Sequence, residues 1–475
     1  MKLVVENFGP IRKAEVALGP MTVFVGPSNA GKSYLAILIY SILSAAHDPG
    51  YGHAISDTYP TGLNEGSDSA EEKARVDREF LLRRIETSFM AWAKRFSRIW
   101  DRHMDGFFPD AEMPLRIQQS QKIKVSDDQG QLVLDLRVSD KSKLSAMQQQ
   151  LILEKIQDSP EVRQFYGRDA ADPPSKTFTE FLTPVLNGVL LGSPVVEAVP
   201  GSPQLPVHYL PATRSFIMQN LLATMQNVLA ASRVARGNPL YPRHISEFLE
   251  KLLVLAKATK YRVSMQGSVT EESRRQKQKE EIAKISAFVE EKIMAGKLRV
   301  VSPTAETPEF YYEFAEDGAM PARVSLNMAS SMVSELAAIV AFIRKYTYPN
   351  DLLIIEEPET GLHPGAQRDI ANVLVQLANA GVRVLITTHS DIILEQIGNY
   401  VQAAEVGKKV RGQSLAKEKN STYYFSKPKS GKQKKTKVEK VEFKPEIGFL
   451  TKDHLAVSSA LYNETVSLLE AGDKS

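Results

Sequence analysis

The chain contains no cysteine among its 475 residues. Disulfide bonds and thiolate metal sites are therefore excluded, and this absence fits a reducing compartment such as the cytoplasm. Uninterrupted apolar runs of 18 or more residues are also missing, and the opening letters M-K-L-V-V-E-N-F-G-P are typical of a strand rather than a secretory signal. We therefore expect a cytoplasmic protein with no membrane partner.

An excess of charge of one sign is missing as well. The chain has 59 basic and 56 acidic residues, and the net charge of +3 is too small to indicate nucleic-acid binding by itself. Any basic surface must be argued locally. The content of 43% apolar and 24% charged residues is ordinary for a soluble globular protein. The length exceeds what one hydrophobic core usually organises, so two or more lobes are expected.

A glycine-containing segment, Gly26–Ser33, reads G-P-S-N-A-G-K-S. The strand-like run Met21–Val25 precedes it, and the helix-compatible run Tyr34–Leu43 follows it. In such a loop the backbone N–H groups surround a polyphosphate, the lysine reaches the β/γ phosphates and the serine hydroxyl ligates Mg²⁺. A chance match in a helix-capping turn is the alternative. The predicted nucleotide-binding residues here are Gly26, Pro27, Ser28, Asn29, Ala30, Gly31, Lys32, Ser33 and Tyr34.

Three predicted strands stand before this loop, and Asn7–Ile11 between the first two reads N-F-G-P-I. With the phosphate loop, this segment resembles the head of the ABC-type ATPases of the SMC, RecF and OLD (overcoming lysogenisation) class. The resemblance covers roughly residues 1–43 and 209–396. It implies that Arg12 lies near the adenine and contacts it. Phe8 fits either an adenine contact or a core aromatic at a strand end.

Two adjacent acids, Glu356 and Glu357, follow the apolar run Leu352–Ile355. Four consecutive apolar residues predict a strand buried on both faces, and ligands bind at the carboxyl ends of such strands. The family resemblance implies that Glu356, together with Ser33, holds Mg²⁺ and that Glu357 polarises the attacking water. Adjacent acids that cap the next element are the alternative interpretation.

Three shorter motifs complete the resemblance. Ala329–Leu336 resembles the degenerate ABC signature and implies that Ser330 of one subunit contacts the γ-phosphate bound by the other, although Met332 stands where glycine is usual. The run T-T-H-S resembles the switch segment, which makes His389 a sensor of the γ-phosphate. Thr360–Pro364 would be the loop that communicates across the dimer. A serine-capped helix, a structural histidine and an ordinary helix start are the respective alternatives.

The remaining segments are less informative. The helical stripe at Glu72–Asp105 carries a row of cations that either follows a DNA backbone or is merely solvated. A hairpin is predicted around Asp127–Gly130. Arg214, in the run Y-L-P-A-T-R that resembles a segment of OLD-like ATPases, is a candidate for phosphate or interface contacts; a helix-capping or salt-bridging arginine is the alternative. A second hairpin carries the basic tip Lys427–Lys437, which either grips nucleic-acid phosphates or is a solvated loop.

These patterns predict an α/β fold, with an ABC-type P-loop head of mixed or parallel sheet flanked by helices, helical insertions and a small antiparallel β part. Residues 1–65 and 301–403 form the predicted head, and 66–206 a helical insertion with a β-hairpin. Residues 207–300 form a strand plus a short helical arm. A basic β-hairpin and a closing helix are predicted over 404–475.

The expected function is ATP hydrolysis with ATP and Mg²⁺ as cofactors, in a homodimer or higher homo-oligomer. ATP binding is expected to close the dimer, and two roles for this closure are open. In the first, the ATPase senses nucleic acid and controls a separate effector in prokaryotic defence or DNA maintenance. In the second, it oligomerises on ATP and sequesters a partner protein, as in anti-phage systems of the PARIS type. A Toprim nuclease domain is not expected after His389, and GTP in place of ATP is also open.

Overall fold

The computed structural model describes residues 1–45, 122–126, 132–137, 206–221, 242–256, 269–304, 307–315, 321–427, 435–449 and 452–472. The helices that the sequence predicts between residues 72 and 191 lie outside these described residues. Two compact units are present, one formed by Met1–Gly9 and Ser41–Leu205, the other by Pro10–Tyr40 and Pro206–Ser475.

The elements are numbered in chain order. The strands are β1 (Lys2–Phe8), β2 (Ile11–Ala17), β3 (Met21–Val25), β4 (Lys122–Ser126), β5 (Leu132–Arg137), β6 (Val207–Leu210), β7 (Lys297–Thr304), β8 (Thr307–Phe314), β9 (Ala322–Ser325), β10 (Leu352–Glu356), β11 (Arg383–Thr388), β12 (Asn420–Ser426) and β13 (Thr436–Val441). The helices are α1 (Lys32–Ala45), α2 (Arg214–Gln219), α3 (Arg243–Ala256), α4 (Val269–Phe288), α5 (Ser331–Lys345), α6 (Pro364–Asn379), α7 (Asp391–Glu405) and α8 (Lys452–Gly472).

In the first unit, β5, β4 and β1 pair antiparallel in that order. The β4–β5 pair confirms the predicted hairpin around Asp127–Gly130. The second unit contains a mixed sheet with the strand order β2-β13-β12-β3-β11-β10-β6. Its β12–β13 pair is antiparallel and confirms the second predicted hairpin, whereas β3, β11, β10 and β6 are parallel. The predicted α/β fold with a mixed sheet is confirmed.

The parallel strands of the second unit are buried along their whole length. Every residue of β3 and β10 is buried, as are five of the six residues of β11. Such continuous apolar runs are what a sheet covered on both faces requires. The register pairs Thr388 with Val25 and Glu356 with Thr387, so these strands end at the same edge. The phosphate loop, the paired acids and His389 follow directly from those strand ends.

The tail also contributes to this sheet. Strand β12 pairs parallel to β3, with Tyr424 opposite Val25, and β13 pairs parallel to β2. Two strands from the tail thus lie between β2 and β3, which are neighbours in sequence but not in the sheet. The sequence patterns did not indicate this insertion, because strand propensity carries no information about which partner a strand selects.

Helix α5 supplies the centre of the hydrophobic core of the second unit, since all eleven residues from Val333 to Ile343 are buried. The Phe342 ring stacks on the Phe248 ring of α3 with centroids 5.2 Å apart. A separate antiparallel sheet has the order β7-β8-β9, of which β9 was not predicted from the sequence. Among the described residues, no helix is long and apolar enough to cross a membrane.

Truncation of Phe342 tests the importance of this core. Phe342 has no exposed surface, so Phe342→Ala should lower the free energy of unfolding by about 3 to 5 kcal/mol. Phe216→Ala is the matched control, because Phe216 is 61% exposed and its loss should change stability by less than about 0.5 kcal/mol. Thermal and denaturant unfolding measure both values. Equal losses in the two variants would contradict this description of the core.

Candidate functional site

The loop between β3 and α1 has a backbone that only glycine permits at two positions. Gly26 has φ +143° and Gly31 has φ +94°. A Cβ atom at Gly26 would lie 2.5 Å from the carbonyl oxygen of Phe425, and one at Gly31 would lie 2.8 Å from Cγ of Pro10. Close packing against β12 and β2 therefore fixes the loop, and it requires both glycines of the sequence motif.

Lys32 is the first residue of α1 and is almost fully buried, with 5% exposure. Its Nζ donates hydrogen bonds to the carbonyl oxygens of Gly26 (2.7 Å) and Pro27 (2.9 Å), so the ammonium lies within the curve of the loop. Burial lowers the pKa of Lys32 to about 8, while Glu357 and Glu359 oppose this shift. An anionic ligand in the loop would favour the charged ammonium.

Glu356 ends β10 and is buried, with 6% exposure. Its Oε2 accepts a hydrogen bond from the backbone N–H of Ala212 at 3.1 Å. Its Oε1 is buried and has no hydrogen-bond partner in the described part of the chain. A buried polar atom without a partner costs free energy. This oxygen is therefore suited to bind a cation as a ligand.

Ser33, in the first turn of α1, supplies a hydroxyl beside Lys32. Carboxylate and hydroxyl oxygens suit Mg²⁺, which usually keeps several waters and phosphate oxygens as its other ligands. Within the residues that the structure describes, no group of three or more His, Asp or Glu side chains could hold a metal by itself. Ser33 and Glu356 thus fit an ion that is bound together with a nucleotide rather than alone.

Glu357 has a left-handed backbone with φ +42°, which is uncommon for a residue other than glycine. Its N–H donates to the carbonyl oxygen of Thr387 at 2.8 Å. The Oε1 atom lies 3.4 Å from Nε2 of His389, and Oε2 accepts from the Thr360 hydroxyl at 3.4 Å. The hydrogen bond with His389 lowers the pKa of Glu357, so the carboxylate is ionised at neutral pH and can accept a proton.

His389 lies between the cation and the acid. Its Nε2 is 3.1 Å from Nζ of Lys32 and 3.4 Å from Oε1 of Glu357. The neutral ring can either accept a hydrogen bond from Lys32 or donate one to Glu357 through this nitrogen, but not both. The hydrogen-bond partner of His389 Nε2 therefore depends on the charges of Lys32 and Glu357.

Glu359 holds the backbone beneath His389, a role that the sequence analysis missed. Its Oε1 accepts from the N–H of His389 at 2.6 Å and from the Thr388 hydroxyl at 2.8 Å. Burial raises the pKa of Glu359. The signal in the sequence was the third acid of the E-E-P-E run, but spacing alone does not show which backbone a carboxylate contacts.

Other predicted residues lie apart from this cluster. Arg12 is exposed on β2, and Tyr34 is half-buried on α1. Ser330 caps its own helix α5, with its Oγ accepting from the N–H of Val333 at 3.4 Å. In the described residues, no hydrogen bond joins Arg12 or Ser330 to the phosphate loop. Met332 is partly buried and packs against the core.

Arg214 requires a correction. The side chain is fully buried, and its Nη2 forms an ion pair with Oε2 of Glu335 at 2.9 Å. Burial lowers the pKa of Arg214, and Glu335 is the largest opposing influence. The expected contact with a phosphate or a subunit interface is wrong, because neither can reach a guanidinium without exposed surface. The salt-bridge alternative is confirmed.

Parts of the chain are similar to known proteins. Residues 218–395 match a family model described as "AAA domain, putative AbiEii toxin, Type IV TA system". The match includes Glu356, Glu357 and His389 but begins after the phosphate loop. A stretch of 60 residues is 40% identical to the Nod factor export ATP-binding protein I of Cupriavidus metallidurans, and it covers 13% of this chain and 20% of that protein. Residues 218–395 are therefore similar to this AAA domain, and the chain matches only about a fifth of the length of the export protein.

The chain is also similar to solved structures of SMC heads, at low identity. One is an SMC head bound to the C-winged helix domain of ScpA, with 11% identity, a TM-score of 0.34, and coverage of 94% of this chain and 98% of that chain. Another is the SMC head of Thermotoga maritima, with 9% identity, a TM-score of 0.33, and coverage of 93% and 98%. No residue role is carried over from these structures.

The lowered pKa of Lys32 predicts a pH dependence of nucleotide binding. Since phosphate oxygens favour the ammonium, binding should take up a proton at pH values between about 8 and the higher pKa of Lys32 in the complex, and ATP affinity should fall as pH rises from about 8 to 9.5. Titration calorimetry at pH 8.5 in two buffers of different ionisation enthalpy measures the uptake. Lys32→Arg, which stays charged, should bind without it. An ATP affinity of the native protein that is constant over this range would contradict the prediction.

Proposed function

We propose that this ATPase binds ATP with Mg²⁺ in the loop Gly26–Ser33 and hydrolyses it to ADP and phosphate. The observation that supports the proposal is that the side chains of Lys32, Glu357 and His389 lie in contact with one another. Lys32 and His389 are 357 positions apart in sequence, yet Nζ and Nε2 lie 3.1 Å apart. A lysine that binds the phosphates and a residue that orients the attacking water are recurring parts of phosphoryl-transfer sites, and His389 lies in contact with both candidates.

Each residue has a separate task in this mechanism. Lys32 and the N–H groups of the loop bind and orient the phosphates. The negative phosphates in turn favour the protonated form of the Lys32 amine. Glu357 orients the attacking water and accepts its proton. His389 donates to the phosphate oxygens once its Nε2 carries hydrogen. When Mg²⁺ is bound, Ser33 and Glu356 hold it, and the ion neutralises charge on the phosphates.

We further propose that two copies of the chain close around two nucleotides. The N-terminus of α5 favours anions, and both Ser330 and Ser331 are exposed there. The neighbouring Met328 is 80% exposed, which suits a contact with a second protein surface. In the closed dimer, Ser330 of each copy would donate to the phosphate bound by the other, so nucleotide binding and closure are coupled.

Glu357→Gln tests the assignment of the water-activating group. The amide keeps the size of the side chain but accepts no proton at neutral pH, so ATP hydrolysis should fall by at least about a hundredfold while ATP binding is retained. Light scattering should show a dimer that persists with ATP. Glu395→Gln, an exposed acid of α7, is the control and should hydrolyse ATP at the native rate. Native activity in Glu357→Gln would show that the role is wrongly assigned.

The role of closure is proposed to be nucleic-acid sensing that controls a separate effector, in prokaryotic defence or DNA maintenance. Support comes from the start of the basic segment Lys427–Lys437. Tyr424 lies opposite Val25, so the chain after β12 continues beside Gly26 and Pro27. Lys427 is exposed, and its charge opposes protonation of Lys32. A nucleic-acid phosphate on this segment would therefore act within reach of the nucleotide loop.

A second candidate function is an ATP-dependent scaffold that sequesters a partner protein. The observation that favours it is an apolar surface on α8. Four large apolar residues there are between 60% and 73% exposed, namely Leu461, Tyr462, Leu468 and Leu469. A contiguous exposed apolar surface on a helix is typical of protein contacts.

Charge neutralisation in the basic segment distinguishes the two candidates. Replacing Lys429, Lys432, Lys434 and Lys435 with Gln spares Lys427 beside the loop and Lys437 in β13. Binding to labelled duplex DNA should weaken by about tenfold or more at 100 mM salt, with a smaller salt slope. Lys408→Gln with Lys409→Gln is the charge control.

A different set of results would favour the scaffold role. If native protein binds no DNA, and mutation of Leu461 and Leu468 to Ser removes a stoichiometric protein complex, the sensing role is contradicted and the scaffold role supported.

A further inference from the structure

Arg214 links two parts of the site that are distant in sequence. It begins α2, directly after the Pro211–Thr213 turn that follows β6. Its Nη1 donates to the carbonyl oxygens of Glu356 (2.5 Å) and Pro211 (3.2 Å), and its Nη2 donates to the carbonyl oxygen of Glu357 (3.0 Å). One guanidinium therefore holds the backbone of both acids at the end of β10.

The backbone that Arg214 contacts is strained. Glu357 has φ +42°, a conformation that costs free energy for a residue with a Cβ and persists only where its surroundings hold it. On one side of the residue, the N–H is fixed by the carbonyl oxygen of Thr387 at 2.8 Å. On the other side, the carbonyl oxygen accepts hydrogen bonds from Nη2 of Arg214 at 3.0 Å and from the N–H of Thr360 at 3.1 Å. The direction in which the Glu357 carboxylate points depends on these contacts together.

The same guanidinium also reaches helix α5. Its ion pair with Glu335 lies in the second turn of α5, close to the N-terminal end that carries Ser330. Glu335 is buried, and its Oε1 accepts from the Ser215 hydroxyl at 2.5 Å. A second link joins Gln219 of α2 to Ser334 of α5 at 2.9 Å. Arg214 and α2 thus move with the start of α5.

The loop after Glu357 contacts the same end of α5. A Cβ atom at Gly361, which has φ +72°, would lie 3.4 Å from Oγ of Ser331 and 3.5 Å from Cγ of Glu335. The start of α5 therefore lies beside the acidic segment at Gly361 and is joined to it through the guanidinium of Arg214. Because this guanidinium is fully buried, we expect a displacement of the helix N-terminus to reach the Glu357 backbone through Arg214.

We propose that Arg214 is the positioning residue for Glu357 and that it transmits the position of the α5 N-terminus to the carboxylate. The inference rests on the proposed function, in which Glu357 activates water and Ser330 contacts nucleotide held by a second copy. Contact at Ser330 then aligns Glu357 in the same chain, so that hydrolysis in one site is faster when the opposite site is occupied. Arg214 thus influences the reaction rate without contacting the phosphates itself.

Arginine is needed because its planar fork binds several acceptors at fixed angles, whereas lysine is a point charge on a flexible stem. Arg214→Lys retains the charge beside Glu335 but cannot hold two carbonyl oxygens and a carboxylate together. We expect kcat to fall by about tenfold to a hundredfold, since a misplacement of about 1 Å in a catalytic group has an effect of that size. Nucleotide binding measured without Mg²⁺ should change by less than about threefold, because among the described residues no hydrogen bond or ion pair joins Arg214 to the phosphate loop.

A matched control separates positioning from general destabilisation. Lys279 likewise donates to two backbone carbonyl oxygens, those of Thr347 (2.5 Å) and Ile343 (3.3 Å), but at the other end of α5. Lys279→Met should lower the melting temperature and leave kcat within about twofold of native. Arg214→Lys should lower kcat even at temperatures where both variants are fully folded.

The measurements are ATP turnover against ATP concentration, with fluorescent nucleotide binding on the same preparations. A kcat in Arg214→Lys equal to that of Lys279→Met would overturn the positioning role. Glu335→Gln keeps the side-chain shape, and it should give a smaller loss of kcat with binding retained. If Arg214→Lys does not fold, native kcat in Glu335→Gln overturns the proposal. Glu357→Gln is measured alongside. Native turnover in Glu357→Gln would overturn the proposed function itself. Loss of turnover in Glu357→Gln together with native turnover in Arg214→Lys would overturn the coupling alone.

Discussion

The parallel register of β3, β11 and β10 is the constraint on which the site depends. Thr388 lies opposite Val25, and Glu356 lies opposite Thr387, so three strands end at one edge of the sheet. Each strand is apolar and buried, which leaves its carboxyl end as the first point where polar side chains can be placed. A slip of register by one residue would move every side chain of a strand to the other face and separate Lys32 from the acids.

Four carboxylates near this edge have distinct surroundings, and the differences correspond to distinct tasks. Glu356 is buried with one unpartnered oxygen, which fits an ion, and Glu357 has its pKa lowered by His389. Burial raises the pKa of both Glu359 and Glu335. Those two bind the backbone of His389 and the Arg214 guanidinium, so they are structural supports. Groups of one chemical type thus acquire different roles from burial and neighbours alone.

A buried polar cluster lies near the starts of β6 and β10. His208 of β6 lies 3.3 Å from Asp351, which precedes β10, and 3.1 Å from Nζ of Lys251 on α3. Burial raises the pKa of Asp351 to about 8 and lowers that of Lys251 to about 8. The cluster joins the starts of β6 and β10 to helix α3, and β10 carries the paired acids at its opposite end.

The sequence by itself predicted a phosphate loop and paired acids, because glycine spacing and a short apolar run followed by charge have few physical explanations, and a family resemblance added His389. It also predicted both hairpins and the α/β class. It did not show that β12 and β13 enter the main sheet, that Glu359 holds His389, or that Arg214 binds the backbone of Glu356 and Glu357. Those contacts join residues about 30, 140 and 400 positions apart. Only the tertiary structure decided them, since local residue pattern fixes backbone preference and burial, whereas the partner of a buried polar group is chosen by the packing that brings distant segments together.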